Sequence, residues 1–234
     1  MLPSDHYIKN NSKFINALQK AIHLAKEGFI VTLGVVPARP ETGYGYIKAK
    51  LKKKAYYLIE RFVEKPDIAA AKKFIKDKSF YWNAGIFVFK ADVLLGEIKK
   101  WMPLDYRLLL KIKDDKSLKH LWPRLTSISI DYAIMEKTKR MALIPAGFYW
   151  ADLGSWGGVE EFFKKDKNGN VSVGNCIDLG SKKTLCWSSN RILATIGLEN
   201  VIIINTDKAT LVCDKNKAQE VKKVVSLLKK KGFK

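Results

Sequence analysis

Cysteine and histidine are scarce in this chain, and their scarcity excludes several classes of site. Only three residues of each type occur among 234. Cys176, Cys186 and Cys213 have no CxxC or other metal-type spacing, so we expect reduced thiols rather than zinc ligands or a disulfide framework. The histidines form neither an HExxH motif nor a Ser/His/Asp order, which disfavours zinc hydrolysis and nucleophilic catalysis.

The sequence also lacks long apolar runs. No stretch has the roughly 20 consecutive apolar residues that a membrane-spanning helix needs. The first residues show neither the basic start nor the apolar h-region of a signal peptide. We therefore expect a cytoplasmic protein without a membrane partner.

Acidic residues are outnumbered by basic ones: 23 Asp and Glu stand against 43 Lys and Arg, for a formal net charge of +20. Most of the excess is lysine scattered along the chain, and no RNP, zinc-finger or helix-turn-helix pattern accompanies it. A nucleic-acid footprint would rest on charge alone, so we expect no specific nucleic-acid partner. The positive field still favours anionic substrates such as sugar phosphates and nucleotides.

Helix-type and strand-type patterns alternate along the first two thirds of the chain. Residues 12–27 carry a helical apolar stripe, and the buried-strand pattern FIVTLGVVP follows at once. Such alternation predicts an α/β fold. Later in the chain, five short β-like runs separated by turn residues replace this pattern. We predict an α/β domain at 1–166 and a small β-rich module at 167–234 that ends in an amphipathic helix.

Asp5 and Asp152 stand where strand-like segments give way to loops or helices. In α/β sheets this is the crevice at the carboxyl ends of the strands. Two carboxylates there suit Mg²⁺, which keeps waters and substrate phosphates as its other ligands. Alternatively, each aspartate only caps the helix or turn that follows. The residues alone leave both interpretations open, and His6, beside Asp5, has no assigned role.

Three further segments place polar or glycine residues next to predicted strands. Glu64 and Lys65 are either a solvated strand end or a pair in which the lysine holds a phosphate and the glutamate accepts hydrogen bonds from hydroxyls. Gly45, in TGYGYI, either belongs to a flexible turn or lets the backbone approach a ligand. Asn83 and Gly85 repeat that pattern just before a predicted strand.

Taken together, these segments resemble one family. PSDHYI, TLGVVPARPETGYGYI, RFVEKPD, YWNAGIFVFKADVLL, SIDYAIMEKT and YWADLGSW occur in the order and spacing of the mannose-1-phosphate guanylyltransferases. The match runs across nearly the whole chain, and RILATIGLENVIIINTDKATLVCDK is similar to that family's C-terminal extension. The resemblance implies a Rossmann-like nucleotidyltransferase, a mixed sheet flanked by helices, that makes GDP-mannose and pyrophosphate from GTP and mannose 1-phosphate with Mg²⁺.

The resemblance also implies roles for individual residues. Asp5 and Asp152 match the metal-binding aspartates, and together with Lys65 they are the expected catalytic residues. Asp131, in the SIDYA stretch, matches a position at the sugar-phosphate site without a defined role. The residues expected to bind the sugar phosphate are Gly45, Glu64, Lys65, Asn83, Gly85 and Asp131.

One motif of the family has no counterpart in the sequence. Relatives carry a glycine- and arginine-rich loop of the form GGxGTRLWPLS, which wraps the triphosphate. We therefore expect an N-terminally truncated relative that lacks the first strands of the sheet, is incomplete or inactive alone, and exposes unpaired strand edges. The expected partner is a second copy in a homodimer or the missing segment in trans. The alternative function is a non-catalytic sugar-phosphate binder or one subunit of a split enzyme.

Overall fold

The structure is a computed structural model, and it describes residues 1–53, 55–154, 156–160 and 162–232. The chain forms two compact units. The first comprises Met1–Ser4 and Ile8–Trp150, and the second comprises Asp5–Tyr7 and Ala151–Lys234. The domain boundary between residues 166 and 167 stays a prediction.

Strands and helices are interspersed up to residue 160, as in an α/β domain. In chain order the elements are β1 (His6–Lys9), α1 (Asn11–Lys26), β2 (Ile30–Val35), β3 (Tyr46–Lys52), β4 (Tyr57–Val63), α2 (Ile68–Phe74), β5 (Phe80–Val88), α3 (Ala91–Trp101), α4 (Pro103–Leu109), α5 (Asp115–Leu121), β6 (Met141–Pro145), β7 (Tyr149–Asp152) and α6 (Trp156–Glu160). A short 3₁₀ turn, Trp122–Arg124, follows α5, and a π-helical turn, Asp131–Met135, precedes β6. The predicted helix SWGGVEEFFKK is described only in part, because Ser155 and Glu161 lie outside the described residues.

The central strands of the first unit form a closed mixed barrel in the order β2-β5-β3-β4-β6. Neighbouring strands are antiparallel except β2 and β6, which are parallel. The ring closes where Tyr57 pairs with Leu143 and Leu58 pairs with Ala142. Strands β1 and β7 pair separately in a two-stranded sheet. The expected mixed sheet is present, and five of its strands curl into a closed ring.

Helix α1 follows from its sequence pattern. Its side chains at i, i+4, i+7 and i+8 are buried: Ala17, Ala21, Leu24 and Ala25. Asn10 caps the first turn, because its Oδ1 accepts a hydrogen bond from the Lys13 amide at 3.0 Å. The buried face joins one core cluster with Val31 and Leu33 of β2. Among the helices in the described ranges, none has the length and apolarity needed to cross a bilayer.

Two local predictions about strand ends were wrong. Asp5 was expected to follow a strand, but it lies in a bend before β1, which begins at His6. Met1 makes two backbone hydrogen bonds with Phe87, and Pro3 has no amide hydrogen with which to extend that ladder. Asn83 was expected just before a strand, but it lies inside β5, which already begins at Phe80.

The second unit has its own sheet and its own core. Its strands are β8 (Val171–Leu179), β9 (Leu185–Ile196), β10 (Val201–Asn205) and β11 (Thr210–Asp214). They pair in chain order, the first two pairs parallel and the last antiparallel. A 3₁₀ segment, Lys215–Glu220, leads into the terminal helix α7 (Val221–Lys230). The buried core consists of Val171, Leu185, Ile202 and Ile204.

Two of the five predicted β-like runs, TLCWSS and RILATIGL, turned out to be one strand, β9. The polar residues between them form a bulge, because Gly174 of β8 pairs with Ser188 and Cys176 pairs with Leu193. Gly174 has φ +77°, and a side chain there would collide with the carbonyl oxygen of Ser188. The polar segment of β9, whose composition is typical of a turn, is therefore an irregularity within one strand.

Candidate functional site

The first candidate site includes an ion pair between Glu64 and Lys65, the two residues that follow β4. The Lys65 Nζ lies 2.9 Å from Glu64 Oε1. The glutamate side chain is 8% exposed and the lysine side chain 48% exposed, so one group is enclosed and the other faces solvent. Lys65 has φ +45°, a left-handed conformation that non-glycine residues rarely adopt and that clusters at functional sites.

Gly45 brings the backbone against Glu64. A Cβ atom at Gly45 would lie 2.6 Å from Glu64 Oε2 and 3.3 Å from the Cβ of Asn83. The Gly45 carbonyl oxygen also accepts a hydrogen bond from the Asn83 amide at 2.8 Å. The Glu64 carboxylate can therefore occupy its position only because residue 45 has no side chain.

The Asn83 side chain is held by three neighbours. Its Oδ1 accepts hydrogen bonds from the hydroxyl of Thr32 at 2.8 Å and from the amide of Gly85 at 3.1 Å. These two donors orient the amide, so that Nδ2 lies on the side of Asp131, 3.5 Å from its Oδ1. Thr32 is fully buried, and Gly85 has φ +67°. The amide group is thus fixed before any ligand binds.

Burial and neighbouring charges set the protonation of this site. Burial raises the pKa of Glu64 above its ordinary value, the hydrogen bond from Lys65 opposes that shift, and Asp131 adds to it. Burial likewise raises the pKa of Asp131, and Lys65 again opposes the shift. Burial alone would lower the pKa of Lys65. The hydrogen bond to Glu64 and the attraction of the charges on Glu64, Tyr132 and Asp131 together outweigh this effect, so the pKa is raised and the lysine stays charged at neutral pH.

The donors and acceptors of this first site suit a sugar phosphate. Enclosed carboxylates are acceptors for hydroxyl groups, and the oriented amide adds a donor, because its oxygen already accepts two hydrogen bonds. A half-exposed lysine suits a phosphate as a point charge. The site, called here the sugar-phosphate site, consists of Gly45, Glu64, Lys65, Asn83, Gly85 and Asp131.

The second unit contains a separate cluster of possible metal ligands. One donor atom from each of Asp5, His6 and Asp152 lies within 4.8 Å of the others. Asp5 is exposed, and the other two are partly buried. Burial lowers the pKa of His6, and the nearby Asp152 and Asp5 carboxylates oppose that shift. This group of three is called here the carboxylate cluster.

Backbone contacts hold the two aspartates of the carboxylate cluster together. The amide of Leu153 donates to the Asp5 carbonyl oxygen at 3.1 Å, and the amide of Gly154 donates to Asp152 Oδ1 at 2.7 Å. A Cβ at Gly154 would lie 2.8 Å from Asp5 Oδ2 and 2.9 Å from Asp152 Oδ1. Gly154 therefore leaves open the space on which both carboxylates converge.

Comparison with known proteins places the chain in a family. A family model described as nucleotidyl transferase matches residues 1–169, and one described as a MannoseP isomerase/GMP-like beta-helix domain matches residues 174–228. The mannose-1-phosphate guanylyltransferase of Salmonella muenchen is 36% identical over 98% of this chain and 50% of its own length. The chain belongs to the mannose-1-phosphate guanylyltransferase family.

Two further relatives match nearly the whole chain. The xanthan biosynthesis protein XanB of Xanthomonas campestris pv. campestris is 40% identical over 99% of this chain and 51% of its own length. A crystal structure from Thermus thermophilus, described as a mannose-1-phosphate geranyltransferase, has a TM-score of 0.81 and 33% identity. It aligns with 97% of this chain, which covers 68% of that structure. The chain spans about half the length of the curated relatives it matches.

These findings confirm the family and the fold class predicted from the sequence, a mixed α/β nucleotidyltransferase with a β-rich C-terminal module. The structure brings all six predicted sugar-phosphate residues together in the first unit. It also brings Asp5 and Asp152 together in the second. The roles of these residues remain predictions.

Sequence reasoning missed four residues that contribute to the two sites. Glu136 Oε1 accepts a hydrogen bond from the Glu64 amide at 2.9 Å, Thr32 orients Asn83, Gly154 makes room for two carboxylates, and His6 joins them. Glu136 and Gly154 lie inside the motifs SIDYAIMEKT and YWADLGSW that matched the family. Thr32 likewise begins the motif TLGVVPARPETGYGYI, so position within a matched motif was the available signal for all three residues.

Proposed function

We propose that this chain binds mannose 1-phosphate and serves in the transfer of a guanylyl group from GTP to it, giving GDP-mannose and pyrophosphate. The observation that carries the proposal is the convergence of Gly45, Glu64, Lys65, Asn83, Gly85 and Asp131 on one place in the first unit. The relative from Salmonella muenchen bears the name of this activity.

Each polar group of the sugar-phosphate site has a role in this proposal. Glu64 and Asp131 accept hydrogen bonds from sugar hydroxyls, and the Asn83 amide nitrogen donates to the sugar. Lys65 exchanges part of its contact with Glu64 for the phosphate. Because the lysine side chain is half exposed and the glutamate enclosed, the phosphate binds on the solvent side and the sugar on the buried side.

The carboxylate cluster fits a divalent cation. Two carboxylates are the protein ligands Mg²⁺ commonly uses, and Gly154 keeps the space between them free. We propose that Asp5 and Asp152 hold Mg²⁺, which when bound would neutralise and polarise phosphate oxygens. The role of Asp5 and Asp152 in this proposal is to hold the positive charge of the ion in place.

The proposed reaction is an in-line displacement. A phosphate oxygen of mannose 1-phosphate forms a bond to the α-phosphorus of GTP, and the bond from that phosphorus to the bridging oxygen of pyrophosphate breaks. Such a transfer depends on alignment and charge stabilisation more than on an acid or a base. Lys65 offsets the charge of the attacking phosphate, while Glu64, Asn83 and Asp131 fix the sugar that carries it.

Calorimetry with mannose 1-phosphate tests the binding half of the proposal. We expect saturable binding that is weaker with mannose or mannose 6-phosphate, because only the 1-phosphate presents sugar and phosphate in the required order. Lys65→Gln should lower the affinity at least about tenfold, as expected for a hydrogen bond to a charged group. Lys72→Gln, on an exposed face of α2, is the control with the same change in net charge. Equal losses in the two variants would contradict a specific role for Lys65.

Pyrophosphate release from GTP, mannose 1-phosphate and Mg²⁺ tests the catalytic half. Asp152→Ala should abolish it, and an unchanged rate would refute the proposed mechanism. A second candidate is a non-catalytic sugar-phosphate binder or one subunit of a split enzyme, because the 234 residues contain no GGxGTR-type stretch. Binding without turnover, and turnover only when a second polypeptide supplies such a loop, would favour that candidate.

A further inference from the structure

We propose that His6 is a third ligand in the carboxylate cluster, so that the site binds Mn²⁺ in preference to Mg²⁺. The inference rests on the metal assignment under the proposed function and deepens it by naming the ligand set and the class of cation. The resemblance that pointed to Asp5 and Asp152 assigns no role to His6.

The separations within the cluster suit three ligands to one ion. Ligand atoms about 2.1 Å from a cation lie roughly 3 to 4 Å apart around it. One donor atom from each of Asp5, His6 and Asp152 already lies within 4.8 Å of the other two. Changes of about 1 to 2 Å at most in these separations, within reach of side-chain rotation, would therefore complete the arrangement.

The backbone segments that carry these ligands are hydrogen-bonded to each other. His6 opens β1 and Asp152 closes β7, and these two strands pair with each other. Asp5 is joined to the other segment by the hydrogen bond from the Leu153 amide. Sites built on paired strands hold their geometry better than sites on free loops. Gly154 adds the space, since a Cβ there would lie within 3 Å of both carboxylates.

The choice of cation follows from the donor atoms. Mg²⁺ prefers oxygen ligands, whereas a site with an imidazole nitrogen gains affinity along the series from Mn²⁺ to Cu²⁺. Mn²⁺ accepts carboxylates as readily as Mg²⁺ does and also takes imidazole. A set of one nitrogen and two carboxylates therefore favours Mn²⁺ while still allowing Mg²⁺ to bind.

Electron paramagnetic resonance with Mn²⁺ tests the inference directly on the whole chain. Titration gives the affinity, and pulsed spectra report whether a nitrogen nucleus is coupled to the ion. We expect the wild type to show nitrogen coupling and to bind Mn²⁺ about tenfold more tightly than Mg²⁺. His6→Asn keeps an oxygen donor, so it should lose the coupling and most of the preference while retaining Mg²⁺ affinity.

A second histidine supplies the matched control. His23 lies on α1 in the first unit, 3.4 Å from Glu27, and His23→Asn should leave coupling and affinity unchanged. Asp152→Asn should weaken both ions. Nitrogen coupling that persists in His6→Asn, or Mn²⁺ binding without coupling in the wild type, would overturn the role of His6 and leave the carboxylate site intact. If Mn²⁺ does not bind, the metal assignment fails as well, while calorimetry with mannose 1-phosphate still tests the sugar-phosphate site.

Discussion

The sugar-phosphate site and the carboxylate cluster both depend on carboxylates, but they hold them differently. In the first, Glu64 is enclosed and shares its charge with Lys65 at 2.9 Å. In the second, Asp5 is exposed, and no lysine or arginine is recorded as an ion-pair partner of either aspartate among the described residues. The protein supplies a counter-charge, Lys65, to the first site, whereas the second has no such lysine or arginine among the described residues and suits a cation.

This difference is consistent with the ligand proposed for each region. Enclosed carboxylates with a built-in counter-charge are suited to hydroxyl groups, because a neutral ligand need not supply charge of its own. Exposed carboxylates that converge on a glycine are suited to a divalent ion, which supplies the missing charge. In both regions a glycine leaves space for the carboxylate groups. Substituting each glycine by alanine is therefore the most direct test of whether the two regions bind different ligands.

Gly45→Ala should have the largest effect. Its Cβ would lie 2.6 Å from Glu64 Oε2, so the carboxylate must move. Misplacement of a binding group by about 1 Å can cost about 100-fold, and we expect a loss of that order in affinity for mannose 1-phosphate by calorimetry. Affinity for Mn²⁺ should be unchanged. The control is Gly96→Ala in helix α3, where a Cβ meets nothing within 4 Å. Thermal melts would show whether each variant folds.

Gly154→Ala should reverse that pattern. The added Cβ would lie 2.8 Å from Asp5 Oδ2 and 2.9 Å from Asp152 Oδ1 and would push the carboxylates apart. We expect Mn²⁺ affinity to fall on the order of tenfold, the lower end of losses caused by disturbed ligand support. Affinity for mannose 1-phosphate measured without metal should not change. Gly147→Ala, with nothing within 4 Å of its Cβ, is the control. Equal effects of both glycine variants on both ligands would remove the distinction between the regions.

The same two glycines show how far the sequence could predict each site. Gly45 was predicted from its motif, because a glycine beside aromatic residues before a strand suggests close backbone approach. Gly154 was not predicted, although it follows Asp152 by two positions in the motif YWADLGSW. Its role depends on contact with Asp5, which is distant in the sequence. Long-range partners of this kind, Thr32 with Asn83 and Glu136 with Glu64, need the fold before they can be seen.

The fold itself was predicted more fully than the sites. Periodicity and caps located most of the helices and strands, since these depend on neighbouring residues. Local pattern failed where tertiary pairing decides the outcome. Asn83 lies inside β5 because Trp82 pairs with Tyr46 of β3 and the Asn83 amide donates to the Gly45 carbonyl oxygen. Strand β9 continued through a polar segment that the sequence suggested was a turn.

Glu136 offers a subtler test of the sugar-phosphate site. Its Oε1 holds the Glu64 amide at 2.9 Å and so supports the bend that places Lys65 at φ +45°. Glu136→Ala should lower affinity for mannose 1-phosphate severalfold, in line with about 1 kcal/mol for one hydrogen bond. Glu136→Gln keeps an acceptor oxygen and should restore most of the affinity. If both variants bind equally weakly, then the charge of Glu136, and not its hydrogen bond, is what matters.

The smallest expected effect concerns folding stability rather than binding. It tests whether enclosing a charged carboxylate lowers the free energy of unfolding. Burial raises the pKa of Asp131, so the folded protein holds this proton more tightly than the unfolded chain does. The associated stability is present below the unfolded value of 3.8 and is lost as the pH rises through the folded value. Asp131→Asn removes the ionisation. The stability of this variant relative to the wild type, measured as the difference in free energy of unfolding, should therefore be higher at pH 7 than below pH 3.8.

Asp77 provides the opposite case on the same unit. Hydrogen bonds from Ser79 lower the pKa of Asp77, so its contribution to stability is present above 3.8 and is lost as the pH falls through the folded value. Asp77→Asn should consequently be less stable than the wild type at pH 7, with a difference that shrinks in acid. Urea unfolding at both pH values measures the two signs side by side. Identical pH trends for the two variants would mean that the enclosure of Asp131 imposes no cost, and the contrast between an enclosed and an open set of carboxylates would lose its energetic basis.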